Sequence, residues 1–219
     1  MKIHVICPFM RHHLLPTLLN YLEPMSIEWY PIVLEEEKFE VNLEWVHQIV
    51  IPNLPEGGLG YKKVNWFIET QEIVNEDYYC IMGDDDIYEQ GFFDVIKTQT
   101  SKIIYVSMSR GNAIPTYEGV TPHATHPLII NNLNDVRRYN INFAQYIMKG
   151  EILKQMKFGW VINCEDGIFA EDLKEKFPND CTFIPNLFVF GNYFEPERYT
   201  NNEWKIKSHW ELPQYKGNL

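Results

Sequence analysis

The chain is poor in cysteine and in basic charge, and it has no long apolar run. Its four cysteines, Cys7, Cys80, Cys164 and Cys181, are scattered over 219 residues, and no two form a C-x-x-C pair. That spacing excludes a zinc knuckle or a thioredoxin-type motif, and the cysteines within apolar runs read as buried thiols. No N-x-[ST] sequon occurs. No apolar stretch approaches the ~20 residues a membrane helix needs. Met1–Pro8 is a short strand, too brief for the apolar segment of a secretory signal. Together these absences imply a soluble, cytoplasmic protein without a membrane span. Nineteen basic residues face 30 acidic ones, a net charge of −11 with an isoelectric point near 5.1. A surface of that sign does not grip nucleic acid in bulk or an anionic membrane, although a local patch could still act. It suits a divalent cation better than a bare phosphate.

Aromatic residues, by contrast, make up 15% of the chain and hydrophobic residues 45%. A chain of this size buries a sizeable core without disulfides. Ile3–Cys7 is a continuous apolar run stopped by Pro8, the pattern of a strand buried on both faces. Leu14, Leu15, Leu18, Leu19 and Leu22 follow at helical spacing. Ile27–Leu34 and Gln48–Ile51 read as strands, and Val64, Phe67, Ile68 and Val74 mark a helix. Tyr78–Met82 is a strand that runs into Gly83-Asp84-Asp85-Asp86. Beyond it we expect a helix over Glu89–Thr98, a strand over Ile103–Met108, a long Pro/Gly/Asn/His-rich loop to Asp135, helices over Phe143–Met156 and Glu165–Phe177, and strand pieces in Thr182–Phe190. Strand–helix alternation predicts an α/β fold: a Rossmann-like, mostly parallel central sheet flanked by helices in one compact domain. Ligands of such sheets bind beyond the carboxyl ends of the strands, where the acidic triplet sits. The domain is read as residues 1–190, with 191–219 as a tail that packs on or caps the site.

Three adjacent carboxylates repel one another, and holding them at a strand end costs stability unless a cation or helix N-terminus offsets the charge. In an extended backbone Asp84 and Asp86 would point the same way and could hold Mg²⁺ or Mn²⁺, hard cations that also bind diphosphate oxygens. The other reading is a solvated turn that caps the next helix. Asp166, above the apolar face Phe169, Ala170, Leu173 and Phe177, could serve as a general base on an acceptor hydroxyl. Equally, Asn163 and Asp166 could form a variant capping box. Gly57-Gly58-Leu59-Gly60 leads into Lys62 and Lys63, cations in a first helical turn. They fit a nearby anion such as a nucleotide phosphate, or a flexible loop with two solvated lysines.

The order of these elements resembles that of GT-A fold nucleotide-diphospho-sugar transferases, most closely glycosyltransferase family 2. Asp84-Asp85-Asp86 corresponds to the D-x-D motif and Glu165-Asp166 to the E-D motif. Val5-Ile6-Cys7-Pro8 and Lys63-Val64-Asn65 are supporting matches, and the likeness spans about residues 1–190. It implies that Pro8 and Arg11 border the nucleotide pocket, with Asp85 among the donor-binding residues. Glu35 would meet base or ribose. Lys63, with Lys62 beside it, would approach the uracil or diphosphate. Asp84 and Asp86 would bind ribose and the Mn²⁺ or Mg²⁺ bridging the diphosphate, and Asp166 would deprotonate the acceptor. In many such enzymes a late histidine joins the metal site, which implicates His209; the alternative is a surface residue beside an anchoring Trp210. His123 and His126, in the long loop, could touch the acceptor or be solvated.

The chain departs from the pattern in two places. Leu34-Glu35-Glu36-Glu37 replaces the usual Asp-Asp-Gly-Ser, and no Q/R-x-x-R-W follows the E-D motif, which disfavours a processive synthase. The implied activity is metal-dependent, inverting transfer of a sugar from a nucleoside diphosphate, UDP by expectation, to the hydroxyl of a glycan, a lipid-linked or another acceptor. Two alternatives stand beside it: a Mg²⁺-dependent nucleotidyltransferase, against which the glycine-free Cys7–His12 loop counts, and a nucleotide-sugar-binding protein without turnover.

Overall fold

Alternate residues of the first strand face opposite ways, and each side finds its own apolar layer. The computed structural model describes residues 1–52, 59–89, 91–110, 130, 132–138, 141–159 and 165–191. The strands are β1 (Ile3–Pro8), β2 (Glu28–Leu34), β3 (Ile49–Ile51), β4 (Tyr78–Ile81), β5 (Ile87–Tyr88), β6 (Ile103–Arg110), β7 (Tyr146–Lys149) and β8 (Cys181–Gly191). The helices are α1 (Leu15–Leu22), α2 (Leu59–Thr70), α3 (Phe92–Lys97), α4 (Gly150–Leu153) and α5 (Glu165–Lys176). Val5, Cys7, Tyr78 and Cys80 pack with Leu18, Leu22, Phe92, Phe93 and Ile96, from α1 and α3. Ile6, Tyr79 and Ile81 pack with Val64, Phe67, Ile152, Leu153, Phe169 and Leu173, from α2, α4 and α5. The result is helix–sheet–helix layering, the α/β arrangement expected from the strand–helix alternation.

One eight-stranded sheet runs in the order β3-β2-β1-β4-β7-β6-β8-β5. Its first half is parallel, with Ile6 opposite Tyr30 and Ile81. The second half is mixed: β7 runs antiparallel to both β4 and β6, β8 is parallel to β6, and β5 is antiparallel to β8. The sheet is therefore less uniformly parallel than expected. Between Tyr105 and Ser107 the β6–β8 register shifts. Pro185 lies in that irregular part of β8, and it has no N–H to donate to a ladder.

The helix expected over Phe143–Met156 is a strand instead. Residues 143–145 form a 3-10 turn, β7 follows, and only Gly150–Leu153 is α-helical. Tyr146, Ile147 and Met148 are fully buried between β4 and β6. A strand covered on both faces reads as an unbroken apolar run, which periodicity alone does not separate from a buried helix segment. Gly150 is required where β7 passes into α4: an added Cβ would collide with the Val74 carbonyl oxygen. Gly150→Ala is expected to cost roughly 1–3 kcal/mol of stability through this overpacking, measured by urea denaturation. A neutral substitution would show that the backbone there yields.

At the opposite end of β1 from Pro8, His4 lies between Asp77 (Nε2···Oδ2 3.0 Å) and the Tyr30 hydroxyl (Nδ1···O 3.2 Å), stacked on Tyr79. Burial holds the imidazole below its usual pKa, against the pull of Asp77. This network ties β1 to β2 and to the segment before β4.

Candidate active site

β1 and β4 are parallel neighbours, so the segments that leave them emerge at the same sheet edge. After Ile81 the chain does not stay extended. It turns at Gly83–Asp86, closed by Asp86 N–H to the Gly83 carbonyl (3.2 Å) and Gly83 N–H to Asp86 Oδ2 (3.1 Å). The expected same-side projection of Asp84 and Asp86 from a strand is therefore replaced by a turn, which keeps three like charges close together, with the Arg11 guanidinium reaching two of them. Glycine suits position 83, because a Cβ there would lie 2.7 Å from Asp86 Oδ2.

The three carboxylates are all buried but differ in their partners. Asp84 Oδ2 accepts the backbone N–H of Met10 and of Arg11, both at 2.7 Å, and Asp84 Oδ1 takes the Arg11 guanidinium. Both oxygens of Asp84 are thus committed to holding the segment after β1 against the turn. Arg11 Nη1 also lies 3.2 Å from Asp85 Oδ1. Asp85 is 5% exposed and its Oδ2 has no hydrogen-bond partner among the described residues. Burial, then the Asp86 charge, push its pKa to about 7, with Arg11 opposing and Asp84 adding.

These groups line a cleft of about 240 Å³, walled by Pro8, Met10, Arg11, Gly60, Gly83, Asp84, Asp85, Asp86, Met108, Asn142, Phe143 and Gly191. The structure brings together Pro8, Arg11 and the aspartates, as the sequence suggested. It adds a second wall that sequence reasoning missed. Because β7 runs antiparallel to β4, its first residues, and the 3-10 turn before them, arrive at the aspartate end of the sheet. That wall lay hidden inside the expected helix. A larger cavity, about 560 Å³, is lined by residues from Pro24–Ser26 and Glu89–Asp94, away from these groups.

Four predicted residues do not line the cleft. Glu35 is an exposed acid paired with Lys38 at 2.6 Å. Glu37 turns inward instead, and its Oε2 accepts the Leu34 N–H (2.7 Å) and the Lys63 ammonium (2.7 Å). Lys63 is wholly buried and donates also to the Phe9 carbonyl at 2.8 Å, so its charge is directed at Glu37 rather than at the cleft. Lys62 is half-buried on the first turns of α2. Asp166 is half-buried in the first turn of α5, its Oδ1 accepting the Gly167 N–H at 3.0 Å. An aromatic chain connects its helix to the cleft: Phe143 meets Tyr61, Tyr61 stacks on Phe158, and Phe158 stacks on Phe169 at 4.1 Å. Glu165 is buried against Gly159. His209, His123, His126, Asn163, Gly57, Gly58 and the tail beyond Gly191 lie outside the described residues.

Among the described residues, no group of three or more His, Cys, Asp or Glu side chains is arranged to hold a metal. An Mg²⁺-type site needs fewer, since such ions are usually bound by one or two carboxylates, waters and substrate phosphates. Asp85 fits that requirement: it offers a buried hard oxygen with no hydrogen-bond partner among the described residues, and the Asp86 carboxylate lies close by. Asp84, with both oxygens occupied, fits it less well.

No family model and no curated protein matches the chain. Solved structures resemble it at low identity. The inositol-1-phosphate CTP transferase from T. maritima superposes with a TM-score of 0.49 at 10% identity, covering 87% of this chain and 89% of that one. The Francisella tularensis 2-C-methyl-D-erythritol 4-phosphate cytidylyltransferase gives 0.44 at 12% identity, covering 84% and 90%. A Drosophila β1,4-galactosyltransferase 7, in complex with manganese, UDP-Gal and xylobiose, gives 0.45 at 10% identity, covering 83% of this chain and 64% of that one. Among the described residues, no helix is long and apolar enough to cross a membrane.

Proposed function

We propose that the cleft binds a nucleoside-diphosphate sugar, a UDP-sugar in the first instance, and that the protein transfers the sugar to an acceptor hydroxyl with inversion. The observation behind this reading is the aspartate turn at the ends of β1 and β4, facing the Pro8–Arg11 segment and the start of α2 at Gly60. The D-x-D and E-D resemblance supports it.

Asp85 and Asp86 would hold Mn²⁺ or Mg²⁺ together with the diphosphate. A divalent ion bound there supplies Lewis-acid stabilisation of charge on the departing phosphate. Asp84 contributes by position: it fixes Met10 and Arg11, so the guanidinium stays at the aspartates and offers positive charge to the donor. Asp166 would take the proton of the acceptor hydroxyl. The tail from residue 191, whose first residue Gly191 lines the cleft, would cover the bound donor, and His209 within it could join the ion. The acceptor is a glycan, a lipid-linked or another hydroxyl compound.

Incubation with UDP-sugars and Mn²⁺ tests the class. Free sugar or glycoside plus UDP supports transfer. Pyrophosphate released from a nucleoside triphosphate would instead identify a nucleotidyltransferase, and binding without turnover a nucleotide-sugar-binding protein. Asp166→Asn is expected to leave donor affinity within about twofold and to lower turnover by 10²–10⁴, the range of a lost general base. Near-normal turnover would remove Asp166 from that role.

A further inference from the structure

We infer that Asn142 is the sugar-reading residue of the cleft, a hydrogen-bond donor to a hydroxyl of the transferred sugar. This rests on the proposed function and deepens it. Asn142 lines the cleft together with Phe143, on the wall that β7 brings to the aspartates. Its carboxamide has a fixed sense. Oδ1 accepts the Ala144 N–H at 3.1 Å, and the turn is locked reciprocally by Gln145 Oε1 on the Asn142 N–H at 3.0 Å. Gln145 is fully buried and anchored in turn to the Val106 carbonyl, at 3.0 Å. With Oδ1 occupied, the half of the amide left for a ligand is the NH₂, which has no partner among the described residues.

The surroundings select the ligand group. A neutral amide donor in a cleft that three carboxylates also line does not favour an anion, so phosphate belongs on the Arg11 side. A hydroxyl can accept from the amide, while the Phe143 ring beside it offers an apolar surface to a pyranose face. A site that hydrogen-bonds a hydroxyl rejects analogues that lack it, because its own donor is then left unpaired.

The test is Asn142→Ser, since serine keeps an oxygen for the Ala144 N–H while removing the amide. Calorimetric titrations in Mn²⁺ would use UDP, UDP-glucose, UDP-galactose, GDP and GDP-mannose on wild type and variant. The expected result is a wild type that binds a sugar nucleotide more tightly than the matching diphosphate, and a variant that loses about tenfold of that preference. Its affinity for the bare diphosphate should stay within twofold and its melting temperature near wild type. Equal weakening of diphosphate and sugar nucleotide, or no change in either, overturns the inference while leaving nucleotide-sugar binding intact. A wild type that binds none of the five overturns the proposed function and the inference together. Asn142→Gln, which keeps the amide on a longer arm, should recover part of the preference if the NH₂ is the reader.

Discussion

Asp85→Asn is expected to make the metal-free protein more stable and the catalyst worse. Asp85 is buried, crowded by Asp84 and Asp86, and its Oδ2 is unpartnered among the described residues. Its folded pKa of about 7 exceeds the ordinary 3.8. The folded state therefore prefers the neutral carboxyl, and its stability falls as pH rises from 3.8 towards 7, where the unfolded chain ionises freely and the folded one does not. An amide removes that penalty. It can still accept from Arg11 through Oδ1. At pH 8 in EDTA the gain should be on the order of 4 kcal/mol, or roughly 8–16 °C in melting temperature for a chain of this size. At pH 5.5 it should fall to about half, and near pH 3.5 it should vanish. A variant no more stable than wild type at pH 8 would show that Arg11 already neutralises Asp85. With Mn²⁺ and UDP the ranking should reverse: wild type gains stability from the ligand by mass action, and the variant, which lacks the open oxygen, gains little. Stability given up for a site is the pattern that functional residues show.

That trade was only partly visible in the sequence. The strand–acid junction at Tyr78–Asp86 was legible, because an apolar run followed by clustered charge has one economical place in an α/β sheet. So were α1 and α5, whose apolar faces repeat at helical spacing. The turn at Gly83–Asp86 was not, since its geometry depends on donors from residues 10 and 11, more than seventy positions away. The same holds for the acids after β2. Glu35, Glu36 and Glu37 are chemically equivalent, and Glu37 is the one turned inward because it stands third in the 3-10 turn, where its carboxylate reaches back to the Leu34 N–H, and because Lys63 of α2 meets it there. The second wall of the cleft was lost for a different reason: β7 is covered on both sides and so shows no strand alternation. Asn142 and Phe143 could have been found from the Asn-x-x-Gln spacing of a capping box just before that apolar run.

Lys63 carries the other large effect, one of architecture. Resemblance directs its ammonium at a nucleotide, whereas the folded chain buries it completely between the Glu37 carboxylate and the Phe9 carbonyl. Lys63→Met keeps the length and the apolar stem but removes the charge. It leaves Glu37 with the Leu34 N–H and without a cation, and Phe9 with a carbonyl that has lost its donor. Removing one partner of a buried pair costs about 3–5 kcal/mol, because the other charge remains desolvated. We expect a loss of that size in urea denaturation at pH 7. Glu37→Gln added to Lys63→Met should return a substantial part of it, since no uncompensated carboxylate then remains. A single-variant loss under about 1 kcal/mol, or a double variant as unstable as the sum of the two singles, would show that the pair does not act as a strut. The consequence reaches the cleft through the backbone. Phe9 precedes Met10 and Arg11, whose N–H groups hold Asp84. Lys63 thus connects α2 and the turn after β2 to the segment that presents Arg11 to the aspartates. In Lys63→Met, weaker donor binding should therefore accompany the loss of stability, even though residue 63 lies outside the cleft. In the double variant, affinity should recover in step with the fold.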